Sequence, residues 1–183
     1  MREIDRWVIK KAFRLLANGL GNPGKMYGIN LSSQSLSDEE FLEFVLAQLR
    51  ETGIVPQSIC FEITETAFIA KFDQTKRIVT ALKATGIRFA LDDFGAGLSS
   101  FRYLKALPVD YLKIDGSFIK DMMNDPLDDA IVKAIVDVSC KLNAQTIAKS
   151  VETTSLAEHL KELHVDHAQG YAIAMPRPLE LFS

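Results

Sequence analysis

Six short apolar runs along this chain each finish on a polar side chain able to meet a metal or a phosphate. Met26 to Ile29 runs into Asn30, Ile59 to Phe61 into Glu62, and Phe89 to Leu91 into Asp92-Asp93. Tyr111-Leu112 runs into Lys113, with Ile114-Asp115 behind it, Thr146 to Ala148 into Lys149, and Asp166 to Ala168 into Gln169. Helical patterns separate the runs, so strand and helix alternate about every 30 residues, the rhythm of parallel strands joined by crossover helices. A doubly wound open sheet accommodates six such strands, but it concentrates its site at one switch point. Polar residues at the end of every strand point instead to a TIM-type (β/α) barrel with its chemistry at the strands' C-terminal face. Six strands fall short of the eight strands and about 250 residues of a closed barrel.

The helices between the runs have readable ends. Ile4, Val8, Ala12 and Leu15 share one face of an opening helix, with Trp7 and Leu16 beside it. Gly19 to Gly24, with Asn22-Pro23, reads as a turn. Ser37-Asp38-Glu39-Glu40 has the spacing of a capping box ahead of a helix that buries Phe41, Phe44, Val45 and Leu49 and stops at Gly53. A helix from about Asp73 carries Ile78 and Leu82 to a stop at Gly86. The segment from Asp92 to Ser100, rich in glycine and serine, reads as a loop or lid. Asp125 caps a helix with Pro126 at its first position, burying Ile131, Ile135, Val138 and Leu142. A last helix carries Leu156, Leu160 and Leu163.

Composition narrows the class. The 183 residues are enough for one domain with a real core, and 48% hydrophobic with 25% charged residues is ordinary for a globular protein. A net charge of −3, with Lys and Arg scattered rather than massed, argues against nucleic-acid binding. No apolar run has membrane-spanning length, so no membrane contact is expected from this segment, and no secretory leader is visible. Cys60 and Cys140 both read as buried apolar fillers, which suits a reducing cytoplasm. His159, His164 and His167 fall on a helix, a loop and a strand, so their spacing does not bring them together as metal ligands. Met122-Met123 reads as core packing.

The strand ends carry the candidate chemistry. In an Asp-Asp pair, one carboxylate can bridge two divalent cations while its neighbour holds one, and two cations clamp the attacking and leaving oxygens of a phosphoryl displacement. Asn30 and Glu62 are hard oxygen donors suited to Mg²⁺ or Mn²⁺. Lys113 is a compact cation able to hold a water or a phosphate oxygen. Each residue alone has an ordinary structural explanation; their placement on successive strand ends is what distinguishes them.

These segments together resemble the EAL-domain family of bacterial cyclic di-GMP phosphodiesterases. The matching text is Gly28-Ile29-Asn30-Leu31-Ser32, Glu62-Ile63-Thr64-Glu65, Asp92-Asp93-Phe94-Gly95, Leu107-Pro108-Val109-Asp110, Lys113-Ile114-Asp115 and Gln169-Gly170-Tyr171. The resemblance implies a modified βα barrel with one antiparallel strand and hydrolysis of cyclic di-GMP to its linear dinucleotide with Mg²⁺ or Mn²⁺. Asn30, Glu62 and Asp92 would hold the first metal, and Asp92 with Asp93 the second. Lys113 would sit beside the nucleophilic water, with Asp115 and Gln169 in its network, and Glu65 would brace the loop that begins at Asp93.

Two departures from the family pattern shape the expectation. The Glu-Ala-Leu segment that names the family, with its metal-binding glutamate and nearby substrate-holding arginine, is absent. The family also has Ala-Glu-Gly-Val-Glu where this chain has Ala148-Lys149-Ser150-Val151-Glu152. The resemblance makes the glutamate replaced by Lys149 a second-metal ligand, and a cation there repels a metal; Glu152 is retained and is counted with the catalytic set. The chain is thus expected to be a single EAL-type domain over residues 1–183, incomplete at its N-terminal strand segment and catalytically impaired. It would serve a longer, multidomain bacterial signalling protein in the cytoplasm as a ligand sensor or regulatory interaction module. The alternative is an active phosphodiesterase. An incomplete barrel exposes strand edge and apolar core, so a dimer or a domain-swapped oligomer is expected.

Overall fold

The computed structural model describes residues 1–20, 24–96 and 104–178. Its strands are β1 (Tyr27–Leu31), β2 (Ile59–Thr64), β3 (Arg88–Phe94), β4 (Tyr111–Ile114), β5 (Gln145–Ala148) and β6 (His167–Ala168). They follow chain order in one sheet. The pairings β1–β2, β3–β4, β4–β5 and β5–β6 are parallel, and the antiparallel strand implied by the resemblance is not among them. The helices are α1 (Arg2–Leu15), α2 (Ser33–Leu36), α3 (Phe41–Thr52), α4 (Glu65–Ala70), α5 (Phe72–Lys83), α6 (Gly116–Asp121), α7 (Pro126–Lys141) and α8 (Thr154–Glu162). The described parts of Met1–Phe89, Ala106–Pro108 and Arg177–Ser183 form one compact unit, and those of Ala90–Lys105 and Val109–Pro176 a second.

In the first unit the core is built on aromatic rings. Phe61 of β2 is fully buried, with its ring 6.4 Å from that of Phe41 and 5.8 Å from that of Phe89. Such tilted pairs add to the burial of large apolar surface. Ile9 and Phe13 of α1, Val45 of α3, and Ile78, Val79 and Leu82 of α5 are buried in the same unit. Gly53 ends α3 in the left-handed region (φ 64°), and its N–H donates to the Leu49 carbonyl at 3.0 Å, as the sequence predicts.

In the second unit the buried set includes Leu112 and Ile114 of β4, Ile119 of α6, Val132 and Ile135 of α7, and Leu156 and Leu160 of α8. Asp125 caps α7, its Oδ1 accepting from the Leu127 N–H at 2.8 Å, with Pro126 at the first position.

Several local expectations are corrected. The buried face of α1 is Asp5, Ile9 and Phe13, while Ile4 and Trp7 are exposed. The four-residue periodicity was right, but a buried carboxylate at Asp5 shifts the face by one position. Likewise α7 buries Val132, Ile135 and Ser139 rather than Ile131 and Val138. Phe44 and Leu49 of α3 are half-buried. Ser37 does not cap α3; its hydroxyl donates to the Ser33 carbonyl, closing α2, and Asp38 accepts from the Glu40 N–H instead. Cys60 is buried but Cys140 is exposed, and of the methionine pair Met122 is buried and Met123 exposed. Gly97 to Ser100 of the expected loop, and Gly21 to Pro23 of the first turn, lie outside the described residues.

Replacing Phe61 with alanine removes the shared ring of the Phe41–Phe61–Phe89 cluster and is expected to cost about 3–5 kcal/mol. Urea denaturation should show a lower midpoint with an unchanged slope.

Candidate functional site

In the first unit, Asn30 and Glu62 are register partners across β1 and β2. The side-chain period of two puts Gly28 on the same face as Asn30. A Cβ built on Gly28 would collide with the Glu62 carboxylate, lying 3.1 Å from its Cδ and closer still to Oε1. The absence of a side chain at Gly28 is what lets Glu62 lie across β1. Glu65 opens α4, is buried, and follows the Thr64 cap that accepts from the Ala67 N–H at 3.3 Å. The loop it is expected to brace extends into residues outside the described set.

In the second unit, the Asp-Asp pair is shaped by irregular backbone. Neighbouring residues on a regular strand point to opposite faces. Here the β3–β4 register shifts between Leu91 and Phe94, and Asp93 takes φ 53°. A bulge of this kind re-aims side chains, and both carboxylates reach one ammonium. Lys149 Nζ is 2.9 Å from Asp92 Oδ1 and 2.5 Å from Asp93 Oδ1. Asp92 Oδ1 also accepts from the Asp93 N–H at 2.9 Å and lies 3.9 Å from Lys113 Nζ. Asp92 and Lys113 are both buried.

The loop carrying Lys149 is equally constrained. Ser150 adopts φ 58°, at a position where the family motif has glycine. Gln169 brackets the loop with its backbone: its N–H donates to the Ala148 carbonyl at 2.8 Å, and its carbonyl accepts from the Val151 N–H at 3.0 Å. Gly170 lies so close to Val151 that a Cβ there would sit 2.7 Å from the Val151 carbonyl carbon. The Lys149 N–H donates to the Ile114 carbonyl at 3.4 Å, tying the loop to the end of β4.

Asp115 caps α6, its Oδ1 accepting from the Ser117 N–H at 2.9 Å and the Ser117 hydroxyl at 2.5 Å. Burial works to raise the Asp115 carboxyl, but the Ser117 hydrogen bonds and the Lys149 charge prevail and hold it below its ordinary value. Burial likewise works against the Lys149 ammonium. The Asp93 and Asp92 carboxylates more than offset that cost, so Lys149 is held charged, above its ordinary 10.5. Glu152 stands apart, largely exposed, with Lys120 Nζ at 3.9 Å. His159 pairs with Asp129 at 2.7 Å, which gives it a structural partner away from the strand ends.

This charge arrangement decides what the pair can hold. Two carboxylates, Asp92 and Asp93, face two ammonium groups, Lys113 and Lys149, for a local balance of zero. An ammonium about 4 Å from a metal ion costs about 4 kcal/mol per unit of the ion's charge at an effective dielectric of 20. The Asp92–Asp93 pair therefore does not fit a divalent cation while Lys149 spans it. Among the described residues, no three His, Cys, Asp or Glu side chains gather as a metal-holding group.

The sequence names Asn30, Glu62, Asp92, Asp93, Lys113 and Lys149 as candidates, and the structure brings Asn30 beside Glu62 and the other four together. Gly28 enters the sequence reading only as part of the matching motif, without the space-giving role the structure shows, and the glycine-like backbone of Ser150 was not expected.

A parallel α/β sheet with acidic, amide and lysine side chains at its strand ends defines a βα fold whose polar groups gather at the strands' C-terminal ends. The chain matches the EAL domain family model over residues 1–176, and it belongs to that family. It is 42% identical over 180 residues to cyclic di-GMP phosphodiesterase PdeB of Shewanella oneidensis, covering 98% of this chain and 21% of that protein. It is 38% identical over 178 residues to cyclic di-GMP phosphodiesterase PdeA of Borreliella burgdorferi, covering 97% of this chain and 27% of that protein. The chain thus spans about a quarter of the length of these relatives. Among solved structures, the PaMucR phosphodiesterase in complex with c-di-GMP superposes with a TM-score of 0.92 at 33% identity, covering 99% of this chain and 74% of that one. The fold is accordingly the TIM-barrel-like fold of EAL domains. Among the described residues no helix is long and apolar enough to cross a membrane.

Replacing Lys149 with glutamate changes the local charge from zero to −2. Without metal, the variant is expected to lose about 1–3 kcal/mol through carboxylate repulsion. Millimolar Mn²⁺ should then raise its melting temperature by more than it raises that of the unsubstituted chain. The pH profile separates the two chains further. An ammonium held above its ordinary value contributes stability that is fully present below pH 10.5 and is lost as pH rises through its folded value. The unsubstituted chain should therefore show no loss from this group between pH 6 and 9 in thermal melts.

Proposed function

We propose that this chain is a regulatory EAL domain that binds cyclic di-GMP without hydrolysing it at enzymatic rates. The observation that carries the reading is the Lys149 ammonium seated between Asp92 and Asp93. In this reading Asn30, Glu62 and Asp92 retain the donor set for one hard cation, Mg²⁺ or Mn²⁺. A second cation, which would supply Lewis acidity for activating water, has its place taken by Lys149. Lys113, buried beside Asp92, keeps a positive charge for a phosphate oxygen or an ordered water. Asp115 holds α6 under the loop of Lys149, and Gln169 fixes that loop from β6. Glu152 pairs with Lys120 rather than with a reacting group. The domain reports nucleotide occupancy to a larger cytoplasmic signalling protein of which residues 1–183 form one domain, and it pairs with a second copy.

An active phosphodiesterase is the second reading. It is favoured by the retention of Asn30, Glu62, Asp92, Asp93 and Lys113 and by 42% identity to a phosphodiesterase.

Calorimetric titration of cyclic di-GMP in the presence of Mg²⁺ or Mn²⁺, with product analysis of the same sample, separates the readings. Saturable binding with no linear dinucleotide is the expected result. Turnover at about 1 s⁻¹ or faster, ordinary for an enzyme, would overturn the non-hydrolytic reading. Absence of both binding and product would leave a protein-interaction module.

A further inference from the structure

Asp5 is a buried carboxylate on α1, far in sequence from any strand end, and it is bonded to the exit of β1. Its Oδ2 accepts three hydrogen bonds: from the Ser32 N–H at 2.9 Å, the Ser32 hydroxyl at 2.6 Å and the Ser35 hydroxyl at 2.7 Å. Ser32 in turn caps α2, its Oγ accepting from the Ser35 N–H at 3.3 Å. Asp5 and Ser35 are both nearly inaccessible to solvent, at 6% and 1%. Charge-assisted bonds to a buried carboxylate are the strong class of hydrogen bond. Three of them on one oxygen fix the chain where it turns from β1 into α2.

That turn begins two residues after Asn30. Strand pairing holds Asn30 and Leu31 from one side, and Ser32 is the first residue beyond it. β1 is paired with β2 through Leu31↔Ile63 and then leaves the ladder. From that point Asp5 supplies the anchor that strand pairing no longer provides. A leucine or alanine at position 5 would leave the Ser32 N–H and the Ser32 and Ser35 hydroxyls without this acceptor.

We propose that Asp5 is a positioning residue for Asn30: through Ser32 and Ser35 it sets the exit geometry of β1 and so the direction in which Asn30 presents its amide to a bound nucleotide or its cation. Asp5 itself touches no ligand. The inference rests on the reading that Asn30 belongs to the cyclic di-GMP site.

The test compares Asp5→Ala and Asp5→Asn in this chain by two independent readouts. The first is amide hydrogen exchange at residues 31–36, with α3 and the second unit as internal references. The second is the affinity for cyclic di-GMP in the presence of Mn²⁺. Asp5→Ala should speed exchange at residues 31–36 at least tenfold with the references unchanged, and weaken cyclic di-GMP about tenfold. Asp5→Asn, whose amide oxygen can accept the same bonds, should lie within threefold of the unsubstituted chain on both measures. Unchanged exchange at residues 31–36 in Asp5→Ala would overturn the proposal. So would faster exchange there with unchanged affinity, which would leave Asp5 a purely structural clamp. Should Asp5→Ala fail to fold, Ser35→Ala removes one of the three donors and is read in the same way with a smaller shift. If the unsubstituted chain binds no nucleotide, the functional reading fails on its own, and the exchange arm decides whether Asp5 sets the β1 exit.

Discussion

The ammonium of Lys149 between Asp92 and Asp93 is the contact on which the second unit's strand ends depend. Adjacent carboxylates on one strand repel each other and, on a regular strand, diverge. Here a register shift and a left-handed Asp93 turn them toward one point, and a left-handed Ser150 presents Lys149 to it. Left-handed backbone in a residue other than glycine costs about 1–2 kcal/mol. Two such residues flank a single ion-pair cluster, so the cluster offsets local strain as well as desolvation. Removing the lysine would leave two acids, one of them buried, held together by a backbone bent to serve an absent cation.

The first unit solves its positioning problem by different physics. Asn30 and Glu62 are placed by strand register, and Gly28 supplies the space that Glu62 occupies. That space exists because one residue has no side chain. The turn that follows is fixed by hydrogen bonds into Asp5. Register, missing volume and anchored turn therefore do on β1 and β2 what charge pairing does on β3 and β5.

The fold was legible where the pattern was local. Each apolar run became a strand within about two residues of its expected end, and the caps at Gly53 and Asp125 stand as read. Helix faces were less secure. Asp5 and Ser139 are buried polar residues, and a periodicity reading that sends polar side chains to solvent rotates each helix by one position. Ser37 does not cap α3: its hydroxyl bonds within the short helix α2, invisible in the pattern, and α3 begins after Glu40 with no side-chain cap. The identities at the strand ends were plain, and the charge conflict at Lys149 was readable from its departure from the family motif. What no pattern could give was that Asp93 and Ser150 leave regular backbone so that the conflicting charges meet.

The three bonds that Asp5 accepts also join two elements mechanically. α1 rises about 1.5 Å per residue. A slip of the helix by one residue along its axis would stretch contacts of 2.6 to 2.9 Å beyond hydrogen-bonding range. The exit of β1 therefore tolerates almost no axial play in α1: force applied along that helix is either carried into the turn after Asn30 or breaks the joint.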